Sequence, residues 1–439
     1  MSSYDIIGDV HAQAEKLEQL LDSLGYVEIE GVYQYEDGGS EASQVVFVGD
    51  FIDGNLGNRK VLDIVRPMID GGHARAVMGN HEFNAICYHT RHPETDEPLR
   101  HHSNKNTKQH AEFLTEYPLD SAEAREIIDW FKTLPLFLEL PTTAGMKVFE
   151  VDDESNQPAR VQFADRIRIV HACWDQRCID YVTARLGKSA VMDDAFLLEA
   201  AEEGTEAFEA IETLLKGREV PLPDGISFFD HQKNERRNIR VAWWKAGRTY
   251  RDAALVQWDQ RDTVPDIPIP DRLRWQAYPD DAPPVFFGHY WMTGEPRAQR
   301  HNVACLDYSA SRNGPLVGYM WLDGGSQLGG GRLRDQRFAS SDPSESNATA
   351  YSEQQLRAAW EAAKDDDQLL SSDLFGCFYC QSVFDGEELN YQGGWPECPR
   401  CGIDYVIGSD SGLPIERRFL AAVKAYWLEP PFPDEPDGA

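Results

Sequence analysis

Three short polar phrases, each issuing from the end of an apolar run, constrain this chain more than any other feature. Gly8-Asp9-Val10-His11 follows Tyr4-Asp5-Ile6-Ile7, Gly49-Asp50-Phe51-Ile52-Asp53 follows Val45-Val46-Phe47-Val48, and Gly79-Asn80-His81-Glu82 follows residues 74–78. An apolar run of this kind closed by glycine reads as a buried strand ending in a loop. Residues 12–24 and 57–69, lying between the phrases, carry apolar side chains at helical spacing. Strand, loop and helix in repetition predict parallel strands joined by crossover helices. The carboxyl ends of such strands lie side by side, and ligands collect beyond them. Asp9, His11, Asp50, Asp53, Asn80, His81 and Glu82 are therefore expected in one small volume.

Acids and imidazoles pressed together repel each other or lose solvation unless a cation sits among them. Carboxylate, imidazole and amide oxygen suit divalent metals such as Mn, Fe or Zn. A carboxylate can bridge two such ions, and two ions a few Å apart make a hydrolytic site. One Asp-x-His is weak as a signal; three such phrases in order, each after a strand, are strong.

The pattern resembles the calcineurin-like metallophosphoesterases, on the bacterial branch of the phosphoprotein-phosphatase type. Besides the three phrases, a lone histidine follows Ile167-Arg168-Ile169-Val170 as His171, and Gly288-His289 follows Val285-Phe286-Phe287. The resemblance covers about residues 4–322 and implies an α/β fold: a two-sheet sandwich flanked by helices, in α/β/β/α order. It also implies that Asp9 and His11 hold one metal, that Asp50 bridges, and that Asn80, His171 and His289 hold the second. A metal-bridging hydroxide would then attack phosphorus, with His81 as general acid and Asp53 orienting it. The residues agree, since a histidine beside a cation site serves better as a proton donor than as a repelled ligand.

One position departs from the resemblance. Relatives usually carry an arginine after the second aspartate pair, where it grips phosphate; here the residue is Gly54. Arg59 is a weak candidate to swing back and replace it. Losing a bidentate arginine weakens phosphate binding by about 1.5–3 kcal/mol and leaves the hydrolytic machinery in place. The resemblance also implies a phosphate contact from an arginine between His171 and His289, where Arg236, Arg237 and Arg240 lie. Tyr290 and Trp291 are expected as pocket walls, and Trp243-Trp244 as core. The irregular cluster His89, His92, His101, His102 and His110 reads as exposed loop.

The net charge of −32 repels a nucleic-acid backbone, so a long DNA or RNA substrate is not expected. No apolar run approaches a membrane span and no signal segment opens the chain, which reads as cytoplasmic and without a membrane partner.

From residue 324 the composition turns to Gly, Ser and Asn, which reads as a linker, followed by a polar helix over 353–370. Cys377, Cys380, Cys398 and Cys401 then form C-x2-C-x17-C-x2-C. Four thiolates at this spacing make a closed, structural zinc site of ribbon or rubredoxin type, with iron as the main variant. The expected organisation is a catalytic domain over 1–323, a linker with its helix over 324–372, a four-cysteine domain over 373–410, and a helix with an acidic tail over 411–439. The expected function is hydrolysis of a phosphomonoester on a small molecule or phosphoprotein. Cleavage of a nucleotide or dinucleoside polyphosphate is the alternative, and a catalytically weak protein binding a protein partner through its zinc ribbon is the reading from another class.

Overall fold

The computed structural model describes residues 3–35, 43–151, 158–229, 235–255, 263–312, 314–321, 333, 337–341, 351, 353–364, 369, 371–379, 382–392, 395–415 and 417–428. Two sheets carry the architecture. The first has five strands in the order Phe338–Ser340, Val317–Trp321, Tyr4–Ile7, Gln44–Phe47, Ala74–Ala76. Its last three strands are mutually parallel, and helices Ala14–Ser23 and Asn58–Asp70 lie between them in sequence. The second sheet runs Val303–Cys305, Val285–Phe287, Pro158–Val170, Phe137–Val151.

Side-chain alternation explains why these strands read as unbroken apolar runs. Successive residues of a strand face opposite sides, and both sides are covered here. Ile6, Val46 and Val48 point inward, packing with Ile167, Ile169, Phe286 and Ala304 of the second sheet. Ile7, Val45 and Phe47 point outward, into a core with Leu17 and Leu20 of one helix and Val61 and Val65 of another. On the far face of the second sheet, the Phe287 ring centroid lies 5.1 Å from that of Trp243. Trp243 and Trp244 are buried, as expected of core residues. The layers therefore run helix, sheet, sheet, helix, and the expected α/β/β/α sandwich is the one observed.

The region from Asp175 onward forms three helices, Gln176–Leu186, Asp194–Ala201 and Glu206–Lys216. Much of the glycine-rich stretch after residue 324 lies outside the described residues, as do the acidic turn at 152–157 and the tail at 429–439. Phe338–Ser340, expected in the linker, is instead an edge strand of the first sheet, paired to Val317–Trp321. The polar helix is observed as Glu353–Ala362.

Towards the C-terminus, strands Leu374–Cys377, Val383–Asp385 and Val406–Gly408 make a small antiparallel sheet, against which helices Glu353–Ala362 and Arg417–Leu428 pack. Arg337, one residue before the edge strand of the first sheet, meets both carboxylate oxygens of Asp385 at 3.1 Å. Both side chains are buried, and one guanidinium nitrogen, Arg337 Nη2, donates to both oxygens, so a buried ion pair ties the small sheet to the large one. Among the described residues no helix is long and apolar enough to cross a membrane.

Phe286 sits fully buried between the two sheets, its ring centroid 4.9 Å from that of Tyr319. Truncation there leaves a cavity between two stiff layers. Phe286→Ala is expected to destabilise the protein by about 3–5 kcal/mol, read as a lower urea midpoint in equilibrium unfolding.

Candidate metal centre and active site

The three parallel strands of the first sheet end together, and the second sheet brings two more strand ends to the same place. Asp9 and His11 lie just past Tyr4–Ile7, Asp50 and Asp53 past Gln44–Phe47, and Asn80 and His81 at the start of helix Asn80–His89. His171 and His289 follow Pro158–Val170 and Val285–Phe287, whose pairing sets Ile169 beside Phe286. The backbone there is strained: His11, Asp50, Asp53 and His289 all have positive φ, between 46° and 72°. Non-glycine residues hold such angles only where the surroundings over-determine them.

Asp50 is the common member of two donor groups. One contains His11, Asp50 and His81, the other Asp50, His171 and His289, with ligand atoms in each group within 4.8 Å of one another. The Oδ2 of Asp50 stands 3.6 Å from His11 Nε2 and 3.3 Å from His171 Nε2, and its Oδ1 accepts from the backbone N–H of His81 at 2.9 Å. Asn80 Oδ1 lies 3.1 Å from His171 Nε2. Ring orientations are fixed from behind, His171 Nδ1 to the Val48 carbonyl at 2.8 Å and His11 Nδ1 to that of Ile52 at 3.2 Å. A hydrogen bond on the remote nitrogen is the usual way of aiming an imidazole at a metal.

Charge in the centre is frustrated. Burial pushes the Asp9 carboxyl well above its usual range, and Asp307 and Asp50 push it further. Burial and Arg240 drive His289 well down; burial and His81 lower His11. Burial opposes the charge of Asp50 too, yet His171 and His81 hold its carboxyl well below the ordinary value. Asp9 Oδ1 and His289 Nε2 are buried without a hydrogen-bond partner among the described residues. An unsatisfied buried polar atom costs about 1–3 kcal/mol, and two of them among carboxylates and neutral imidazoles fit the donor set of a divalent cation. Asp9, His11, Asp50, Asn80, His171 and His289 can therefore hold metal.

His81 lines the cleft, and its Nδ1 is bound to Asp53 Oδ2 at 2.7 Å. Burial works against its charge, but Asp50 and Asp53 outweigh burial and raise it to about 9. Asp53 is the mirror case: burial opposes ionisation, while His110 and His81 hold it at about 2. Between those limits the pair is an imidazolium on a carboxylate, able to give a proton from Nε2.

Glu82, expected in the site volume without an assigned role, and three residues that no motif marks, Asp307, Asn58 and His110, support the centre. Glu82 accepts the backbone N–H groups of Asp50 and Phe51 at 2.8 Å and of Gly79 at 3.0 Å, pinning two metal-site loops together. Asp307 is buried beside Asp9 and accepts from the N–H groups of Ser309 and Trp291. It terminates the apolar run 303–306, the same signal that marks Asp9 and Asp50. Asn58 holds the backbone of Asp53 at 2.8 Å. His110, expected to be exposed, is buried and bonded to Asp53 Oδ1 at 2.9 Å. His101 and His102 are exposed as expected.

Two expected substrate contacts are corrected. Arg59 points away from the cleft: it bonds Glu123 Oε2 at 2.8 Å and the Glu116 carbonyl at 2.9 Å and lies 4.5 Å over the Tyr117 ring. Three partners on the helix layer hold it there. Tyr290 turns into the core, edge-on to Trp244 and Phe287, because the adjoining Trp291 takes the cleft side. The cleft has a volume of about 1730 Å³, and Arg236, Arg240 and Arg312 are among its lining residues with Gly54. Arg237 does not line it; its side chain is 79% exposed.

In the small sheet, Cys377, Cys398 and Cys401 form a third donor group, with Cys377 and Cys401 Sγ 3.8 Å apart. Cys380 lies outside the described residues. A tetrahedron with Zn–S bonds of about 2.3 Å has edges of about 3.8 Å, so the spacing fits a four-thiolate metal and is far too long for a disulfide.

Glycine here is a spatial requirement. A Cβ on Gly288 would stand 1.7 Å from Asp9 Oδ1, and one on Gly79 2.2 Å from Asp50 Oδ1. Gly288→Ala is expected to displace Asp9 and lower the metal content of this centre, measured by elemental analysis of the purified variant beside the parent protein.

Residues 3–180 match the family model for calcineurin-like phosphoesterase. The bis(5'-nucleosyl)-tetraphosphatase PrpE of Oceanobacillus iheyensis is 43% identical over 77 residues, 18% of this chain and 29% of that protein. Its counterpart in Halalkalibacterium halodurans is 38% identical over 78 residues, 18% of this chain and 30% of that protein. The chain thus spans less than a third of the length of these curated relatives. A protein serine/threonine phosphatase of Saccharomyces cerevisiae superposes with a TM-score of 0.35 at 14% identity, over 77% of this chain and 78% of that one. The matched stretch, residues 3–180, contains Asp9, His11, Asp50, Asp53, Asn80, His81 and His171.

Proposed function

We propose that this chain is a dinuclear-metal phosphoesterase acting on phosphomonoesters. The observation that carries the reading is a pair of orphaned ligand atoms, Asp9 Oδ1 and His289 Nε2, beside two donor groups that share the Asp50 carboxylate. Asp9 and His11 would hold one divalent ion, Asn80, His171 and His289 the other, and Asp50 both; Mn, Fe and Zn all suit the donors. When bound, such ions supply hydroxide at neutral pH and polarise phosphoryl oxygens. This chain's own part is to place the proton donor. His81 Nε2 gives its proton to the leaving oxygen, and Asp53 holds the ring through Nδ1. Arg240, whose charge already reaches His289, is the best placed of the three inter-histidine arginines to neutralise a phosphate. Arg312, on the cleft wall over Trp291 at 4.3 Å, is a further cationic contact near the side-chainless Gly54.

A second reading, hydrolysis of nucleotide or dinucleoside polyphosphates, is favoured by the size of the cleft. A volume of about 1730 Å³ exceeds what one phosphate needs, and several basic side chains line it in a chain of charge −32. A phosphoprotein segment would use the same room.

The test is turnover by the Mn-loaded protein of p-nitrophenyl phosphate, bis-p-nitrophenyl phosphate and diadenosine tetraphosphate, with Asp50→Asn as control. Monoester turnover lost in the control supports the first reading. Preference for the tetraphosphate moves it to the second, and inertness on all three with metals bound sinks both.

The Cys377, Cys380, Cys398 and Cys401 group is proposed as a structural zinc site that stabilises the C-terminal unit over 373–410 and leaves its outer face available to a protein partner. The backbone N–H of Arg400 donates to Cys398 Sγ at 3.4 Å, as thiolate ligands require. Cys398→Ser should remove one zinc per chain by elemental analysis and loosen the small sheet while the catalytic metals stay.

A further inference from the structure

His110 has no place in the chemistry described so far, yet it is among the most constrained side chains near the cleft. It lies between two short helices, Asn104–Gln109 and Ala111–Glu116, and reaches the centre across 57 residues of sequence. Its ring is buried, stacked on Phe113 with centroids 4.7 Å apart and planes inclined by 17°. Nδ1 points at Asp53 Oδ1 at 2.9 Å, while the other oxygen of the same carboxylate receives His81 Nδ1 at 2.7 Å. A carboxylate accepts and does not donate, so His110 must carry its proton on Nδ1. When the ring is neutral its Nε2 is then an acceptor, and His89 Nε2, at 3.3 Å, is the donor facing it.

The consequence is geometric. Asp53 is held at its backbone by Asn58 Oδ1 and at Oδ1 by His110, which leaves Oδ2 alone for His81. A carboxylate free to rotate offers either oxygen at a range of angles; one anchored at Oδ1 offers a single acceptor in a single place. We propose that His110 is a positioning residue, fixing Asp53 and through it the direction in which His81 presents its proton. A core histidine packed only for volume would not place a ring nitrogen on the catalytic carboxylate with a second histidine behind it.

This inference rests on the reading of His81 as proton donor, and two measurements separate the fate of the two ideas. The first is leaving-group dependence. Phenyl phosphate needs its leaving oxygen protonated far more than p-nitrophenyl phosphate does. His110→Phe, which keeps the stacking on Phe113 and removes the donor, should cut kcat/KM about tenfold or more on phenyl phosphate and less than about threefold on p-nitrophenyl phosphate. His110→Asn, whose amide nitrogen falls near the Nδ1 position, should restore most of the loss. In an Asp53→Asn background the His110 change should add nothing, since both act through one unit. Equal losses on the two substrates, or losses that add to those of Asp53→Asn, would show that His110 serves only the packing and overturn the proposal. If His110→Phe does not fold, His110→Gln, which keeps polarity but moves the donor, takes its place with the same expected outcomes.

The second measurement needs no activity. In protein labelled with nitrogen-15 at histidine, the His81 Nδ1–H resonance should be protected from exchange in the parent. It should be lost in both Asp53→Asn and the His110 variant. A resonance unchanged in the His110 variant overturns the proposal. A parent protein inert on both phosphates but showing the predicted resonances would sink the phosphatase reading and leave the positioning role standing.

Discussion

Everything near the centre follows from one carboxylate with too many neighbours. Asp50 is buried, sits at a left-handed backbone angle, and faces two imidazoles with its Oδ2 and a backbone N–H with its Oδ1. Glu82 fixes its backbone from below. Nothing in that arrangement favours folding taken alone: it concentrates like charges, leaves donors unpaired and strains the chain. The two-sheet core supplies the compensation. Apolar strands covered on both faces hold their ends at a set separation, and the polar residues beyond those ends have no room to relax.

The convergence of Asp9, His11, Asp50, Asn80, His171 and His289 was legible in the sequence because each follows closely on the end of a strand. Buried runs such as Val45-Val46-Phe47-Val48 fix where the chain must turn, and the turn fixes where Asp50 goes. The two-layer fold was legible for the same reason, with Ile6 and Ile7 facing opposite cores. Asp307 carried the same signal at the end of 303–306 and was legible in principle. His110 was not. It sits on a loop, without periodicity or a preceding strand, and its meaning lies in a contact with Asp53 that only the tertiary fold creates.

Arg59 and Tyr290 show the limit of proximity in sequence. Arg59 is close along the chain to Asp53, but Glu116, Tyr117 and Glu123 belong to elements that pack on the opposite side of its helix start, and they capture it. Tyr290 directly follows His289, yet the chain rotates there: His289 and Trp291 both have positive φ, which turns the intervening ring into the core. Adjacency to a site residue says little about direction where the backbone changes hand on either side.

The buried pair between Arg337 and Asp385 gives the molecule a seam where composition suggests a hinge. Arg337 leads directly into the edge strand of the two-sheet sandwich, and Asp385 ends a strand of the cysteine-bearing sheet. A guanidinium and a carboxylate sealed from water cannot part without each exposing a bare charge. The change in composition at residue 324 thus does not mark a boundary between two independent bodies. Cutting the gene there would strand an edge strand on the wrong fragment, so a minimal catalytic piece has to end beyond Ser340.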